Sequence, residues 1–225
     1  MATGTTPPTA EERAPLTRER VLLAAIELAD RDGIEGLSMR KLGQELGVEA
    51  MALYRHVRDK DDLLDGIIEV VVGQIGRPKP GPDWTTLIRR QVMEARRVML
   101  RHPWARRVLE ERGTTGPAVL AYIESILAIL HDGGFSLDLA HHTMHVLGSR
   151  FFGFTQDVFE ESSEGPSTEA DAVAMGAMAA TFPRITELAT SVSHEGVLGA
   201  CDDDVEFAFG LDLILDGLER RRAAS

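Results

Sequence analysis

The chain has 225 residues, of which 44% are apolar and 27% are charged, a composition that excludes a disordered protein. Its 24 Lys and Arg against 36 Asp and Glu give a net charge of -12, so contact with nucleic acid requires a local basic patch. A single cysteine, Cys201, excludes an internal disulfide and a cysteine-based zinc site, which indicates a reducing compartment.

The N-terminal residues 1–15 carry neither the basic start nor the apolar stretch of a secretory signal. We therefore expect a disordered tail on a cytoplasmic protein. The apolar runs of the chain are too short to span a bilayer, so we expect no membrane association.

Apolar residues recur with helical periodicity from Leu16 to the C-terminus, and no stretch alternates with period two between hairpin turns. The predicted fold is therefore all-α. Thr17, Ser38 and Asp59 are predicted to cap helices by accepting from free backbone N–H groups, and Gly47 is predicted to end one helix in a left-handed conformation. The first four predicted helices run from Thr17 to Asp32, from Ser38 to Leu46, from about Glu49 to His56, and from Lys60 to Ile75.

The Gly- and Pro-rich stretch 76–83 predicts a break between two domains. The predicted divisions are a tail at 1–15, a first helical domain at 16–65, the end of a connecting helix with its linker at 66–82, and a larger helical domain at 83–225. The later predicted helices cover residues 84–101, 103–111, 117–131, 137–160, 169–181, 183–192 and 203–222.

The second and third predicted helices, joined by the tight turn Leu46-Gly47-Val48, match a helix-turn-helix. In such a unit Leu42, Leu46 and Leu53 hold the pair against the first helix, and the later helix offers its outer face to the DNA major groove. Between Leu37 and Lys60 there are five basic and three acidic residues, in a chain whose net charge is -12. The basic surplus therefore lies on the motif.

The string LTRERVLLAAIELADRDGIEGLSMRKLGQELGVEAMALYRHVRDKDDLLD, residues 16–65, resembles the DNA-binding domain of the TetR family of one-component transcriptional regulators. The resemblance is carried by DGIEGLSMRKLGQELGV, by LYRHV, and by DKDDLLD at the start of the fourth helix. From Gly116 onward, GPAVLAYIESILAILHDGGFSL and EFAFGLDLILDGLERR are similar, more loosely, to the ligand-binding and dimerisation domain of the tetracycline-repressor branch. The resemblance implies a dimeric, ligand-responsive regulator, usually a repressor that binds a palindromic operator and is released by a small-molecule effector.

In this family the third helix enters the major groove, and the matching positions imply a set of DNA contacts. Arg40 corresponds to a position that reads a guanine edge, where a guanidinium holds O6 and N7 with two parallel bonds. Tyr54 and His56 correspond to phosphate-contacting or groove-lining positions, and Lys60 to a phosphate anchor at a helix N-terminus. The expected DNA-binding residues are Ser38, Arg40, Ala50, Met51, Tyr54, Arg55, His56 and Lys60.

Three of these positions depart from the tetracycline-repressor branch, so we expect a different operator. Ala50 and Met51 replace a polar amide residue and a proline, and they offer only apolar contact, such as to a thymine methyl group. Arg55 replaces a tryptophan and adds a cation. Glu49 is able to accept from cytosine N4, but its place in the first turn of a helix favours an interaction with the helix dipole.

The C-terminal helices are expected to form an effector pocket and a dimer interface. In the family the last helix and the helix from Leu137 pair with their counterparts in a four-helix bundle, whereas an apolar stripe alone is as readily internal core. The stripe on the last predicted helix consists of Phe207, Leu211, Ile214, Leu215 and Leu218.

Among the seven histidines, His141 and His145 are spaced to share one helix face, as metal ligands often are. No Cys or nearby Glu completes a ligand set and HExxH is absent, so we expect no metal site and no cofactor. Leu109 stands at the metal-binding histidine of the tetracycline-repressor branch, which argues against tetracycline, although Asp157 falls where a carboxylate supports that metal.

Pocket-lining residues are expected on the helices between positions 84 and 160, where an apolar cavity with a few polar groups would hold the effector. For each of them, ordinary core or surface is the alternative interpretation. The expected set is Trp104, Arg107, Glu110, His145, Phe152, Phe154 and Asp157.

Two other classes of function compete with a regulator. We do not expect an enzyme, because the chain contains no nucleophile elbow, P-loop or dinucleotide fingerprint. A helical interaction protein with a structural helix-turn-helix is the remaining alternative. The expected partners are double-stranded operator DNA, a small-molecule effector of unidentified structure and a second copy of the chain.

Overall fold

The computed structural model describes residues 15–112, 116–152, 176–177, 179–191, 193–194, 197–198 and 203–224. Regular structure in these ranges is helical apart from one short ribbon, which confirms the all-α prediction. Helices α1 to α4 are Arg18–Asp32, Met39–Leu46, Ala50–Leu53 and Lys60–Gly73, with a 3-10 turn at Ile34–Gly36 after α1. Helices α5 to α10 are Trp84–Arg101, Pro103–Arg112, Pro117–Asp132, Leu137–Phe152, Pro183–Ser191 and Asp203–Arg222.

A two-stranded antiparallel ribbon precedes the last helix. Strand β1 is Ser193–His194 and strand β2 is Val197–Leu198, with Ser193 opposite Leu198 and His194 opposite Val197. Two residues per strand are too few to form the face of a core, so the ribbon does not change the fold class. Within the described ranges, no single helix is both long enough and apolar enough to cross a membrane.

The three predicted N-caps are confirmed. Thr17, Ser38 and Asp59 each accept a hydrogen bond from the backbone N–H three residues ahead, at 2.8 to 3.3 Å. Gly47 follows α2 with φ 66° and ψ 35°, the left-handed conformation in which a missing Cβ removes the steric cost. These features depend only on neighbouring residues, which is why the sequence predicts them.

Helix α3 is shorter than predicted. It covers Ala50–Leu53, and the chain to His56 continues as hydrogen-bonded turns instead of regular helix. The Leu53 carbonyl accepts from the N–H groups of both His56 and Val57, at 2.8 and 3.0 Å. Sharing one acceptor tightens the end of a helix in this way. Helix α4 likewise ends at Gly73, two residues before its predicted end.

The described residues form two compact units, one that ends at Asp132 and one that begins at Gly133. The first unit contains α1 to α7, so it holds the predicted helix-turn-helix domain together with three helices beyond the predicted linker. Several predictions concern residues outside the described ranges: nearly all of the tail, Cys201, the end of the helix predicted over 137–160, and most of the helix predicted over 169–181.

The core of the first unit forms where α1 and α4 cross. A Cβ on Gly66 of α4 would lie 2.6 Å from Leu22 Cδ2 of α1, so the Leu22 side chain packs into the space that the glycine leaves open. Leu42 and Leu53 are fully buried in the same core and Leu46 packs against it, as predicted. Each such buried leucine contributes roughly 1.5–3 kcal/mol relative to an exposed one, and this burial fixes the helix-turn-helix on α1.

In the second unit α8 packs against α10. Four of the five residues in the predicted apolar stripe are buried, which confirms the internal-core alternative for them: Phe207, Leu211, Leu215 and Leu218. A different set of large apolar side chains on α10 is exposed, namely Val205, Phe209 and Leu213. These three recur every four residues and therefore share one helix face.

Candidate nucleic-acid interface

The crossing of α2 and α3 depends on a close backbone contact at Gly43. A Cβ on Gly43 would lie 2.8 Å from the Val48 carbonyl oxygen and 3.2 Å from the Ala50 nitrogen. The Val48 N–H donates to the Gly43 carbonyl at 2.9 Å, and the Gly47 N–H donates to that of Gln44 at 3.1 Å. The start of α3 therefore lies directly on α2, as the tight turn of a helix-turn-helix requires.

The outer face of α3 and of the turns after it is open to solvent. Met51 is 74% exposed and Tyr54 43% exposed, and Arg55 is also exposed. Leu53 and Val57 point the other way and are fully buried. The structure therefore brings Met51, Tyr54 and Arg55 together on one accessible face, separate from the residues that anchor it.

Three other predicted DNA contacts lie at the edges of this face. Ser38 is half-buried and its hydroxyl oxygen accepts from the Lys41 N–H, so that oxygen serves as a helix cap. Ala50 is half-buried beside the turn, and the His56 side chain is half-buried as well.

Glu49 occupies the N-cap position of α3, but its side chain makes no capping hydrogen bond. It is exposed, so its stabilising effect on the helix is limited to the interaction of its charge with the helix dipole.

Three cations around this face are unengaged. The side chains of Arg40, Arg55 and Lys60 are exposed, and they form no hydrogen bond or ion pair within the part of the chain that the structure describes. By contrast, Lys41 lies 3.7 Å from a carboxylate oxygen of α1, and Arg58 lies 3.9 Å from one of α4. Free cations are the groups that contact phosphate or guanine, since paired ones must first give up their partner.

The N-terminus of α4 differs from the predicted phosphate anchor in one respect. Lys60 begins the helix, but Asp61 and Asp62 follow it in the first turn, and the Asp59 carboxylate already accepts from the Asp62 N–H. A free N–H that would bind an anion is thereby occupied. The ammonium group of Lys60 is therefore the group at this position that can hold a phosphate.

Two residues outside the predicted set hold the end of the recognition segment, which consists of α3 and the turns that follow it to His56. Arg18 of α1 donates to the His56 carbonyl at 2.8 Å and to both carboxylate oxygens of Asp62 at 2.9 Å. The Arg58 N–H also donates to Asp62, at 2.9 Å. The hydrogen bonds from Arg18, followed by that of the Arg58 N–H, lower the pKa of Asp62 to about 2. No local pattern predicts this pairing, because 44 positions separate the two side chains.

The three predicted ligand residues on α6 are engaged elsewhere. Trp104 is buried in the core of the first unit and donates its indole N–H to Asp30 at 2.6 Å. Arg107 pairs with Glu111 at 2.7 Å, and Glu110 accepts from an arginine one turn earlier at 3.0 Å. The structure does not bring these side chains together around a cavity.

The other predicted ligand residues belong to the second unit or lie beyond the described ranges. His145 is exposed on α8, with its ring centroid 4.6 Å from that of His141. The described side chains do not include Phe152, and neither Phe154 nor Asp157 is described. Across the described residues, no three His, Cys, Asp or Glu side chains are grouped to hold a metal ion.

A cavity of about 450 Å³, open to solvent on one side, lies between the end of α4, the segment after it, α5 and α7. Its polar groups include Gln91, whose amide donates to the Gly76 carbonyl at 2.9 Å, and Ser125, which donates to the Tyr122 carbonyl at 2.7 Å. The Tyr122 phenol is a further hydrogen-bond donor in the lining, and burial raises its pKa. The apolar wall consists of Val72, Ile75, Pro78, Ala118, Ala121 and Ala128, and the charged residues are Arg77 and Glu124.

Two family descriptions match the chain. The one described as bacterial regulatory proteins, tetR family, matches residues 21–67. The one described as the tetracyclin repressor-like C-terminal domain matches residues 77–222. The first match spans most of α1 through the first half of α4, and the second spans the helices that follow.

Individual relatives give the same result. The chain is 28% identical over 224 residues to the HTH-type transcriptional repressor DrrR1 of Streptomyces coeruleorubidus, across 94% of this chain and 80% of that one. It is 29% identical over 212 residues to the tetracycline repressor protein class C of Escherichia coli, across 92% of each. An HTH-type transcriptional regulator of Saccharopolyspora erythraea is 44% identical over 121 residues, which span 53% of this chain and 51% of the relative.

Solved structures share the fold over nearly the whole chain. Apo ActR from Streptomyces coelicolor superposes with a TM-score of 0.71 at 29% identity, across 94% of this chain and 98% of that one. ActR in complex with actinorhodin gives a TM-score of 0.70 at 29% identity, across 93% and 99%.

Proposed function

The chain belongs to the TetR family of bacterial regulatory proteins and is a ligand-responsive, DNA-binding transcriptional regulator, and from that membership we propose its mode of action. It is a repressor that binds a palindromic operator as a homodimer and leaves the DNA when a small-molecule effector binds. It works by binding and not by catalysis, in the cytoplasm, with no membrane partner.

The exposed outer face of α3 carries the proposal that this protein reads DNA. A helix-turn-helix with a purely structural role does not need an exposed face that combines an apolar side chain, an aromatic ring and a cation, whereas a helix that reads the major groove does. Here Met51 stands free beside Tyr54 and the unengaged cation Arg55. An apolar side chain flanked by cations is complementary to a thymine methyl group in the major groove with phosphates on either side.

The remaining cations take separate roles in this proposal. Arg40 reads a guanine edge with two parallel hydrogen bonds, a contact that discriminates by roughly 1–3 kcal/mol. Lys60 holds a phosphate and contributes affinity for any sequence. Specificity therefore comes from Arg40 and the α3 face, and salt-dependent affinity comes from the lysine.

The test is selection of duplexes from a random pool, followed by binding measurements at several salt concentrations. We expect enrichment of one palindromic sequence, with affinity that falls as salt rises because bound counterions are released. A pool that shows no enrichment, together with no salt-dependent duplex binding, would leave the helix-turn-helix with a structural role only.

The exposed stripe on α10 supports the proposed homodimer. Val205, Phe209 and Leu213 are 51 to 62% exposed on one helix face, and an apolar face of this kind is stabilised when a second copy covers it. One short recognition helix also contacts too few bases for specificity, so two-fold symmetry doubles the contact set. Sedimentation should show a dimer at micromolar concentration, and Phe209→Asp should shift it to monomer. Asp204→Asn changes an exposed residue of α10 away from this face and should leave the protein dimeric.

The cavity between α4, α5 and α7 supports the proposed effector site. Its apolar wall and a few polar groups, Gln91, Tyr122 and Ser125, fit a largely apolar molecule that carries hydroxyl or carbonyl groups. Trp104, Arg107 and Glu110 would have to leave their present partners to reach such a ligand. Leu109 carries no metal-binding group at the position where the tetracycline-repressor branch has a histidine, so the proposed effector binds without a magnesium ion.

Release follows from a difference in affinity between two conformers. A ligand that binds both conformers equally does not shift the equilibrium between them. The effector must therefore favour the conformer in which the two recognition helices of the dimer do not fit the operator. The cavity is lined by the end of α4, the helix whose other end follows the recognition segment. A displacement of α4 at the cavity would therefore move α3.

A further inference from the structure

The recognition helix is too short to fix its own direction. Helix α3 has four residues, and a helix of that length gains little from its own hydrogen bonds. Its carbonyl groups at the C-terminal end also need partners from outside the helix. The contacts at that end therefore decide how Met51 and Tyr54 are presented to DNA.

We propose that Arg18 and Asp62 are positioning residues for DNA recognition, which together hold the end of the recognition segment without reading any base. The inference rests on the proposed DNA-reading function of α3. It adds two residues, one from α1 and one from α4, to the group that determines operator specificity.

The Arg18 guanidinium makes three hydrogen bonds at once, an arrangement called the fork below, which a lysine could not make in its place. Its Nη1 atom donates to the His56 carbonyl at 2.8 Å and to Asp62 at 2.9 Å, while Nη2 donates to the second Asp62 oxygen at 2.9 Å. This planar, bidentate geometry is specific to arginine, since a lysine ammonium is a point charge on a flexible stem. The carbonyl of His56 is thereby held at a set distance from α1.

The Asp62 carboxylate fixes the turn on the other side. This carboxylate accepts from the Arg58 N–H at 2.9 Å. The backbone N–H of Asp62 donates to the Asp59 carboxylate at 2.8 Å. The Asp62 side chain is only 14% exposed, so water competes weakly for these bonds. One carboxylate therefore connects α1, the turn after the recognition segment, and α4.

The position of the fork gives it an effect on recognition. The bonded carbonyl of His56 directly follows Tyr54 and Arg55, two of the predicted contact residues. Because the apolar contact of Met51 with a thymine methyl group depends on close approach of α3 to the floor of the major groove, a small movement of this segment would cost that specific contact. Contacts to phosphate tolerate the same movement because they depend mainly on charge.

Electrostatics and positioning predict opposite effects for the variant Asp62→Asn. Loss of a negative charge beside the motif should strengthen binding to any DNA if charge alone matters. Loss of the fork should weaken binding to the operator. The matched control is Glu45→Gln, which removes the same charge from the same motif but only breaks a surface pair with Arg31.

The experiment measures anisotropy with two probes, the duplex that the wild-type protein selects from a random pool and a scrambled duplex of the same composition. We expect the ratio of operator to scrambled affinity to fall about tenfold for Asp62→Asn, from the loss of charge-assisted hydrogen bonds. Affinity for the scrambled duplex and the salt slope should not fall. Glu45→Gln should keep the wild-type ratio.

A second variant, Arg18→Lys, keeps the charge and removes the fork, so its ratio should fall like that of Asp62→Asn. Circular dichroism sets a temperature at which each variant is folded, and Arg18→Lys carries the test if Asp62→Asn does not fold. The amide NMR signals of Tyr54 to His56 should shift in both variants. A wild-type ratio in both folded variants overturns the inference, whereas a wild-type protein that selects no duplex overturns the DNA-reading function instead.

Discussion

Trp104 on α6 donates its indole N–H to the Asp30 carboxylate on α1, with 2.6 Å between Nε1 and Oδ1. His102 Nδ1 lies 2.9 Å from the same oxygen, and the ring of His102 is largely buried. One carboxylate therefore joins the first helix of the DNA reader to the corner between α5 and α6. A buried tryptophan N–H and a buried imidazole both need a partner, and Asp30 satisfies both.

We predict that Asp30→Ala lowers the free energy of unfolding by about 1–3 kcal/mol, because it leaves two buried polar groups without their partner. The measurement is the denaturant midpoint. Asp132→Ala is the control, since Asp132 pairs with His131 on the surface and an exposed pair contributes at most about 1 kcal/mol. Equal effects of the two substitutions would show that the shared carboxylate is not a structural link.

Gly43→Ala is expected to destabilise the protein by about 1–3 kcal/mol and to weaken operator binding. The added Cβ would lie 2.8 Å from the Val48 carbonyl oxygen, so α3 must move away from α2.

Gly73→Ala is the matched control for this substitution. No atom lies within 4 Å of a Cβ at Gly73 in α4, so the added methyl group meets nothing. Alanine in a helix is roughly 0.5–1 kcal/mol more favourable than glycine. The two substitutions should therefore shift the urea midpoint in opposite directions, and a shared direction would contradict the close contact at Gly43.

The local features of the fold were predictable because neighbouring residues determine them. Thr17, Ser38 and Asp59 cap helices with their own side chains, and Gly47 ends one through its own backbone. The length of α3 was not predictable in this way, since the periodicity continues to His56. Its early end comes from the Leu53 carbonyl, which two N–H groups share.

The candidate site was partly predictable for the same reason. Met51, Tyr54 and Arg55 share a face by helical spacing alone, and the structure shows that face exposed. The engagement of Trp104 with Asp30 was not visible, because 74 positions separate the two residues. The sequence could not show which apolar residues of α10 are buried, because Phe207 and Phe209 mark two apolar faces of the same helix. Packing against α8 determines which of these faces is buried.

The stability contributed by Asp62 should depend on pH. Its folded pKa of about 2 lies below the ordinary aspartate value, so the contribution is fully present above the ordinary value and is lost as pH falls towards 2. The gap in unfolding free energy between wild type and Asp62→Asn should be about 1–2 kcal/mol near neutrality, because solvent screens the partly exposed Arg18 partner.

Urea titrations at a series of pH values would measure that gap. It should narrow by about half near pH 3, where the unfolded carboxylate is largely protonated and the folded one is not. A gap that stays constant down to that pH would contradict the assignment of the depressed pKa to the Arg18 pair.

Substitutions of Arg40 and of Lys60 should change DNA binding in different ways. Arg40→Ala is expected to cost about 1–3 kcal/mol on the selected operator and to relax the preference at one base pair. Lys60→Ala should weaken binding to all duplexes and lower the salt slope by about one. Arg106→Ala on α6 removes the same charge outside the motif and should change neither property. If Lys60→Ala alters base preference while the salt slope stays the same, the two roles are assigned wrongly.

The effector cavity can be closed by a single substitution. Both Ala121 and its neighbour Leu120 are exposed on α7, but only Ala121 lines the cavity. Ala121→Trp should therefore fill the cavity with an indole group and block release of the operator complex by any compound that releases the wild type. Leu120→Trp places the same group on the same helix outside the cavity and should release normally. Both variants should bind the operator with wild-type affinity in the absence of a compound.

The compounds for this titration are tetracycline with and without magnesium, and a panel of apolar aromatic molecules that carry hydroxyl or carbonyl groups. We expect release by members of the panel and no dependence on magnesium, because Leu109 offers no metal ligand. Gln91→Leu removes an amide from the wall and should raise the concentration needed for release about tenfold, the effect of one lost hydrogen bond in a binding site. Normal release of the Ala121→Trp complex would place the effector elsewhere, and release by tetracycline only with magnesium would contradict a metal-independent site.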